Sequence, residues 1–559
     1  MKAPWFALLF VPLVALPSAA QPAPRKPVTA KHGMVVCVSP PAAEVGAAIL
    51  RRGGNAVDAA VAVAFAMAVT WPEAGNIGGG GFMMVGPPGH EPTCIEYRET
   101  APAAATATLF ADGKVTGFDH KASGVPGTVR GLALAHRRFG KLPWQDVVSP
   151  AMKLAEQGFA MNAVLAGRLN NVLASKNTTN AEFRRVYGKP SGGRWQAGDT
   201  LVLKDLSRTL RRIAEKGPDA FYTGEIANLI VEEMKRGGGL IAAADLASYK
   251  ANERKPIHAS YRGFDVYGPP PPSSGGIALA EMLNLLEPFD LKKHDRWSPE
   301  VSHLMIEVMK RAYCDRARYL GDPAFTRIPA ELTSKDYARK LAAGIDLNKA
   351  TPSEKFAPEI TLAPEGSSTT HFSIIDKDGL AVSNTYTLEN SFGSRVVVRG
   401  AGFLLNNEMT DFNPKPGVTS RTGLIGTKPN LIEPGKRMLS CQTPTLVYKD
   451  GKVRLITGSP GGRTIINTVF CVVVNVIDFN MPVQEAVAAP RLHHQWFPDA
   501  AKIEGLKQHP ALVEKLKGMG HSVTGHRQGD AHSIGIDPKT GQYLGAADSR
   551  IDGQAIGID

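Results

Sequence analysis

The stretch "GSSTTHFS" (366–373) sets Ser367, Ser368, Thr369 and Thr370 side by side ahead of a His-Phe-Ser run. A threonine hydroxyl is a weak nucleophile and needs a base beside it. One base requires no second side chain: the threonine's own α-amine, which titrates near ~7.7–8.0 and is partly neutral at physiological pH. That chemistry works only if the threonine begins its chain, so here the Ser368–Thr369 peptide bond would have to be cut. The alternative is an ordinary solvated junction between loop and strand, where Ser/Thr clusters are common. On residue chemistry alone the solvated loop is the commoner case. Metal chemistry has little support: no HExxH or acid cluster occurs, and the neighbours His493 and His494 must point different ways in strand or helix.

The elements around this stretch change character along the chain. "PAAEVGAAILRRGGN" has apolar residues at helical spacing with Gly53, Gly54 and Asn55 as a stop. "AVDAAVAVAFAMAV" (56–69) reads as a second, buried helix. In "WPEAGNIGGGGFMMV" four glycines lead into an apolar strand, which suggests backbone packed where a Cβ has no room. No GK[ST] or Rossmann spacing follows, so a phosphate cradle is disfavoured. "CIEYRETAP" (94–102) reads as a strand ending in Arg98 and Glu99, and residues 125–345 as mostly helical. The segment 356–368 reads as a linker. Beyond it "HFSII", "DKDG" and "LAVSNTYT" spell a hairpin, and "TPTLVYKDGKVRLITGSP" repeats that pattern. "RTIINTVFCVVVNVI" reads as a buried helix. Strands packed face to face with helices outside make an α/β layered sandwich.

Composition bounds the rest. The chain has 559 residues, 43% of them hydrophobic and 21% charged, enough for a large core without disulfides. Its five cysteines are widely spaced without a CxxC, which argues against a zinc ribbon or disulfide scaffold. The formal net charge is +12 but the basic residues are scattered, with no nucleic-acid-binding motif among them. A small anionic substrate suits that balance. Lys2, the apolar run "APWFALLFVPLVAL" and the small residues after Pro17 have the layout of a cleaved secretory signal over residues 1–20. A buried helix or a retained anchor is the alternative. The run is short for a membrane span. The expectation is an exported chain, periplasmic or secreted, without a stable membrane anchor.

Several motifs occur in one order: "GGNAVDAAVA", "AGNIGGGGFM", "YRETAP", "ASGVPGTVRG", "PPPSSGG", "YLGDPAF", "TTHFSIIDKDGLAVSNTYT", "GFLLNNEMTDF", "RMLSCQTPT", "TGSPGGRTIINT" and "APRLHHQW". Together they resemble the gamma-glutamyltransferase (gamma-glutamyl transpeptidase) family from about residue 32 to the C-terminus. The resemblance implies the N-terminal-nucleophile hydrolase fold, a four-layer αββα sandwich built jointly by two autoprocessed subunits. Residues 21–368 would form the large subunit and 369–559 the small catalytic one. Cleavage would fall between Ser368 and Thr369.

The same resemblance assigns individual positions. Thr369 would be the nucleophile and Thr387, at the end of the second hairpin strand, its hydrogen-bond partner. Gly461 and Gly462 lie between a strand and an apolar helix, where their N–H groups can face an oxyanion. Arg98 would grip the substrate's α-carboxylate, which a guanidinium fork suits. Glu389, Glu408 and Asp411 would hold its α-ammonium. Without the resemblance, Arg98 reads as a local Arg98–Glu99 or structural ion pair, Thr387 as a strand former, the three acids as solvated and the glycines as a turn. Where the family commonly has two serines on the α-carboxylate, this chain has Ser440 and Cys441. A thiol is the weaker donor, and Cys441 also reads as a tolerated small core residue. The long Gly/Pro/Lys loop 412–438 between two of these motifs reads as a lid.

The implied activity is cleavage of the γ-glutamyl amide of glutathione and related compounds through a γ-glutamyl-threonine ester. Water or an amino-acid or dipeptide acceptor would resolve the ester, with no metal or organic cofactor. The rivals are an acylase of the same superfamily, acting on glutaryl β-lactam or poly-γ-glutamate amides, and an uncleaved, non-catalytic binding protein.

Overall fold

The computed structural model describes residues 26–175, 180–357, 363–364 and 369–559. The proposed signal (1–20), Ser368 and most of the 356–368 linker lie outside the described residues.

Alternation builds two seven-stranded antiparallel sheets. The first runs Gln554–Ile558, Gly33–Cys37, Thr370–Asp376, Ala381–Thr387, Gly80–Gly86, Thr93–Glu96, Asn252–Arg254. Strands from either side of the Ser368–Thr369 bond therefore interleave. The second runs Val28–Ala30, Tyr543–Ala546, Ser533–Ile536, Lys452–Thr457, Thr445–Lys449, Phe264–Gly268, Ile257–Tyr261. Both expected hairpins form, each closing on its Lys-Asp-Gly turn with a glycine at positive φ (Gly379 84°, Gly451 71°).

The period of two sends alternate residues into different cores. Met34, Val36, Phe82, Met84 and Ile375 meet Leu446, Ile456 and Ile534 between the sheets. Val35, Met83, Val85, Phe372 and Ile374 face the first helical layer. Val266, Val447 and Leu455 face the second, which contains Gly275–Leu286, Pro299–Tyr319 and Thr464–Ile477. Four layers, αββα, result. The Ala56–Thr70 helix is buried on every side, as its all-round apolar sequence requires. Its N-terminus is capped reciprocally by Asn55 and Asp58. All five cysteines are free thiols. Among the described residues, no helix is long and apolar enough to cross a membrane.

The middle third differs from the expectation. It is mostly helical, but Asn252–Arg254 closes the edge of the first sheet, and the Ile257–Tyr261/Phe264–Gly268 hairpin lies at the edge of the second. These strands are short and partly exposed, so they carry little apolar alternation to read.

Candidate active site

The nucleophile candidate is placed by hairpin register. Thr370 lies opposite Tyr386 and His371 opposite Thr385, so one further step brings Thr369 opposite Thr387. Both threonines line one pocket. Phe372 and Ile374 enter the helix-side core and Ile375 the core between sheets, so Thr369 shares the inter-sheet face with His371 and Ser373. Behind Thr369 that face is polar. His371 bonds the Thr385 hydroxyl through Nδ1 at 2.8 Å and Ser373 Oγ through Nε2 at 3.1 Å, and Ser373 Oγ donates to His532 O at 2.8 Å. Burial holds the His371 imidazole well below its usual pKa, so it stays neutral. With both ring nitrogens engaged, it braces the hairpin.

The glycine run fixes the other side of Thr387. Asn76 donates to Thr387 O at 2.8 Å and accepts from Gly79 N at 2.9 Å. A Cβ on Gly79 would stand 2.0 Å from Thr387 O, so backbone is pressed on backbone here as the sequence suggested. The Thr387 hydroxyl accepts from Glu389 N at 2.8 Å, which helps hold Glu389 at φ 77° beside the pocket.

The charged residues converge although their sequence positions are far apart. Arg98 is fully buried; its Nη1 donates to Glu408 Oε2 at 2.5 Å, its Nη2 to Asp411 Oδ2, and its Nε to Met438 O at 3.2 Å. Glu99 lies 3.4 Å from Nη1. Burial opposes charge on Arg98, but Glu408, Asp411 and Glu99 more than offset it and keep the guanidinium protonated. For the three glutamates burial dominates. Glu389 and Glu408 are raised well above the usual carboxylate range, and Glu99 is pushed up to about 8. Four acids thus surround one guanidinium, and Glu408 Oε1 and Glu99 Oε1 have no hydrogen-bond partner among the described residues. Asp411 is the exposed member, its side chain 27% accessible where Glu408 and Glu99 are at 0%. Arg98, Glu389 and Asp411 line the pocket with Thr369.

Ser440, Cys441 and Gly462 also form part of the pocket wall. Ser440 Oγ accepts from Gln442 N at 3.1 Å, which leaves its own proton for an incoming acceptor. Gly461 and Gly462 have φ of 132° and 57°, and precede the Thr464–Ile477 helix. Among the described residues neither N–H has an acceptor within the chain, the condition for donating to an oxyanion. The 412–438 loop borders the pocket through Asn413 and Asn430. It is tied down where Arg463 donates to Gly423 O at 2.9 Å, Asn430 to Asp411 O at 2.7 Å and Thr427 to Ala317 O at 2.5 Å.

Among the described residues, two side-chain groups have metal-compatible spacing: Glu389/Glu408/Asp411 and His303/Glu307/His521. In the first, Arg98 already supplies the cation. In the second, Glu307 is paired with Lys310 and Arg311, and His303 is bonded to His521 at 2.8 Å. His493 and His494 diverge as expected: His493 bonds Asn467 and Gln495, whereas His494 faces Asp499.

Of the candidate site residues, Arg98, Thr369, Thr387, Glu389, Asp411, Ser440, Cys441 and Gly462 thus line one pocket, Glu408 joins them through Arg98, and Gly461 precedes Gly462 in the chain. Sequence reasoning missed Arg316, Gln442 and Arg463, which also line it. Arg316 sits in the last turn of the Pro299–Tyr319 helix, and nothing in its spacing marks it.

The family model described as Gamma-glutamyltranspeptidase matches residues 42–558. The glutathione hydrolase proenzyme of Escherichia coli K12 is 47% identical over 533 residues, covering 94% of this chain and 91% of that protein. The acylase ACY 1 proenzyme of Pseudomonas sp. SE83 is 35% identical over 552 residues, covering 96% and 95%. Among solved structures, the cephalosporin acylase from Bacillus halodurans superposes with a TM-score of 0.86 at 28% identity, covering 98% and 99% of the two chains.

Proposed function

We propose that Thr369 is the autocatalytic nucleophile of this chain, which belongs to the gamma-glutamyltranspeptidase family and is by that membership a gamma-glutamyltransferase and glutathione hydrolase of the N-terminal-nucleophile fold. The observation that carries the reading is that Thr369, one step before the Thr370–Tyr386 pair of the hairpin, lines one pocket with Thr387, Arg98, Asp411 and Gly462.

In maturation the Thr369 hydroxyl attacks the Ser368 carbonyl and the peptide nitrogen is displaced, so the acyl group moves from nitrogen to oxygen. Water hydrolyses the ester. This leaves a carboxylate on Ser368 and a free α-amine on Thr369, and residues 21–368 and 369–559 become separate subunits. In turnover that amine takes the hydroxyl proton as Oγ attacks the γ-carbonyl of the donor. Gly461 and Gly462 donate to the tetrahedral oxyanion, an interaction worth about 3–4 kcal/mol per donor in comparable sites. The leaving amine takes the proton. Water or the amine of an amino-acid or dipeptide acceptor then attacks the ester.

Selection of a γ-glutamyl donor falls to two ends of the pocket. Arg98, Ser440 and Cys441 serve the α-carboxylate, and Glu389, Glu408 and Asp411 the α-ammonium. The related acylases make a glutaryl donor, which lacks the ammonium, the alternative substrate. The acids around Arg98 outnumber the one guanidinium, and Asp411, the exposed one, is placed to meet an ammonium, which favours the γ-glutamyl donor. The signal-like N-terminus supports export to the periplasm or beyond.

The test is incubation with glutathione, with and without glycylglycine. Glutamate and cysteinylglycine should form, and γ-glutamyl-glycylglycine should appear when the acceptor is present, with none of these from Thr369→Ala. Full activity in that variant would refute the assignment of the nucleophile.

A further inference from the structure

The "GPPPPSSGG" segment (268–276) and the end of the Pro299–Tyr319 helix are not used by the chemistry above, yet both close on the Ser440–Gln442 turn. Ser274 donates to Ser440 O through its N–H at 2.8 Å and through Oγ at 2.6 Å. Ser440 N donates to Pro272 O at 2.8 Å, and Ser273 Oγ to Gln442 O at 2.6 Å. Thr443 Oγ1 takes the remaining carbonyl, Cys441 O, at 2.8 Å. Every carbonyl of the turn thereby has a donor within the chain, and Ser440 and Cys441 line the pocket.

Arg316 joins the two halves of this clamp. It is 8% exposed and lines the pocket; its Nε donates to Ser274 Oγ at 2.9 Å, and its Nη2 donates to Cys441 Sγ at 3.1 Å. The roles are chemically consistent: Ser274 Oγ gives its proton to Ser440 O and receives one from Arg316, and sulfur acts as a weak acceptor. A guanidinium is a planar fork that can serve both contacts at once, whereas lysine is a point charge. Its place in the last helical turn also suits the helix macrodipole.

We infer that Arg316 is a positioning residue for donor recognition, acting through Ser274 and Cys441 to hold the Ser440–Cys441 wall at the distance a substrate α-carboxylate requires. The inference rests on the reading of that wall as the α-carboxylate site. Arg316 does not contact the scissile amide in this scheme, so its loss should appear in KM rather than in kcat or in maturation.

The experiment compares γ-glutamyl-p-nitroanilide with 4-aminobutyryl-p-nitroanilide, which keeps the ammonium and lacks the α-carboxylate, in wild type, Arg316→Met, Arg316→Lys and Ser274→Ala. Loss of a hydrogen bond to a charged group should raise KM for the γ-glutamyl donor about tenfold in Arg316→Met. KM for the 4-aminobutyryl donor should be unchanged, and both processed chains should still form. Arg316→Lys should recover part of the loss, and Ser274→Ala should show the same selectivity more weakly. Equal KM changes on both donors, or a fall in kcat alone, would overturn the inference. If Arg316→Met does not fold, Ser274→Ala decides: no selective KM change refutes the role. If wild type itself does not prefer the γ-glutamyl donor, the α-carboxylate site is wrong and the inference falls with it.

Discussion

Replacing Asp411 by Asn tests how the pocket distinguishes a γ-glutamyl from a glutaryl donor. The change is nearly isosteric and removes one negative charge. Asp411 is the informative member of the cluster, because its side chain is 27% exposed and lines the pocket, whereas Glu408 has no exposed side-chain surface. Arg98 keeps its hydrogen bonds to Glu408 Oε2 at 2.5 Å and to Met438 O at 3.2 Å, so the fold should survive. At a contact distance of about 3 Å and an effective dielectric constant near 20, a carboxylate and an ammonium attract by about 5 kcal/mol. Desolvation consumes part of this, and charge-assisted hydrogen bonds measured by mutation are worth about 1.5–3 kcal/mol net. The expected loss in kcat/KM for γ-glutamyl-p-nitroanilide is therefore about 10- to 150-fold. Glutaryl-p-nitroanilide has no ammonium and should change by less than about threefold. Release of p-nitroaniline, followed by absorbance, reads both reactions on the same preparation. Equal losses on the two donors, or a loss confined to glutaryl, would refute the placement of the ammonium.

The same cluster gives a pH signature. Burial holds Glu389 and Glu408 protonated above the usual carboxylate range, so the ammonium site gains negative charge as pH rises. KM for γ-glutamyl-p-nitroanilide should therefore fall as pH rises until the donor's own ammonium loses its proton, and that for glutaryl-p-nitroanilide should not; steady-state profiles check this. Glu99 binds its proton more tightly in the folded chain, with a pKa of about 8 against an ordinary 4.5, so its contribution to stability is greatest below 4.5 and is lost as pH rises through about 8. Glu99→Gln should escape that loss, so the difference in Tm between variant and wild type should grow from pH 5 to pH 8 in calorimetry. Cys441 is the one cysteine with solvent access, the other four being buried. A thiol reagent should label it first, block turnover and be slowed by saturating γ-glutamyl donor, with the adduct located by peptide mass mapping.

What the sequence revealed follows physical reach. The hairpins were legible because alternation and Lys-Asp-Gly turns are local signals, and the opposition of Thr369 to Thr387 follows from that register without further information. Gly78–Gly81 announced close backbone contact, and the structure supplies the neighbour, Thr387 O against Gly79. The edge strands between Asn252 and Gly268 were lost among helices because half-exposed strands show little apolar alternation. No local pattern could bring Arg98 to Glu408 across 310 residues of sequence; family resemblance alone placed them together. It did not reveal that they pair directly, while the local Arg98–Glu99 pair that the residues alone suggest is present beside them. Arg316 was invisible for a related reason: a basic residue in a last helical turn looks like ordinary helix chemistry until the Ser440–Gln442 turn folds against it.

The central claim is that Thr369 cuts the chain in front of itself and then works with the amine it has exposed. Intact-mass measurement and N-terminal sequencing of the denatured, purified protein test it directly. Two chains should be found, the smaller spanning residues 369–559 and beginning Thr-Thr-His-Phe-Ser. Thr369→Ala should yield one uncut chain, and Thr370→Ala, whose side chain lies on the opposite face of the strand, should still be cut. A fully active protein that remains a single chain, or a small chain beginning at any other residue, would contradict the account.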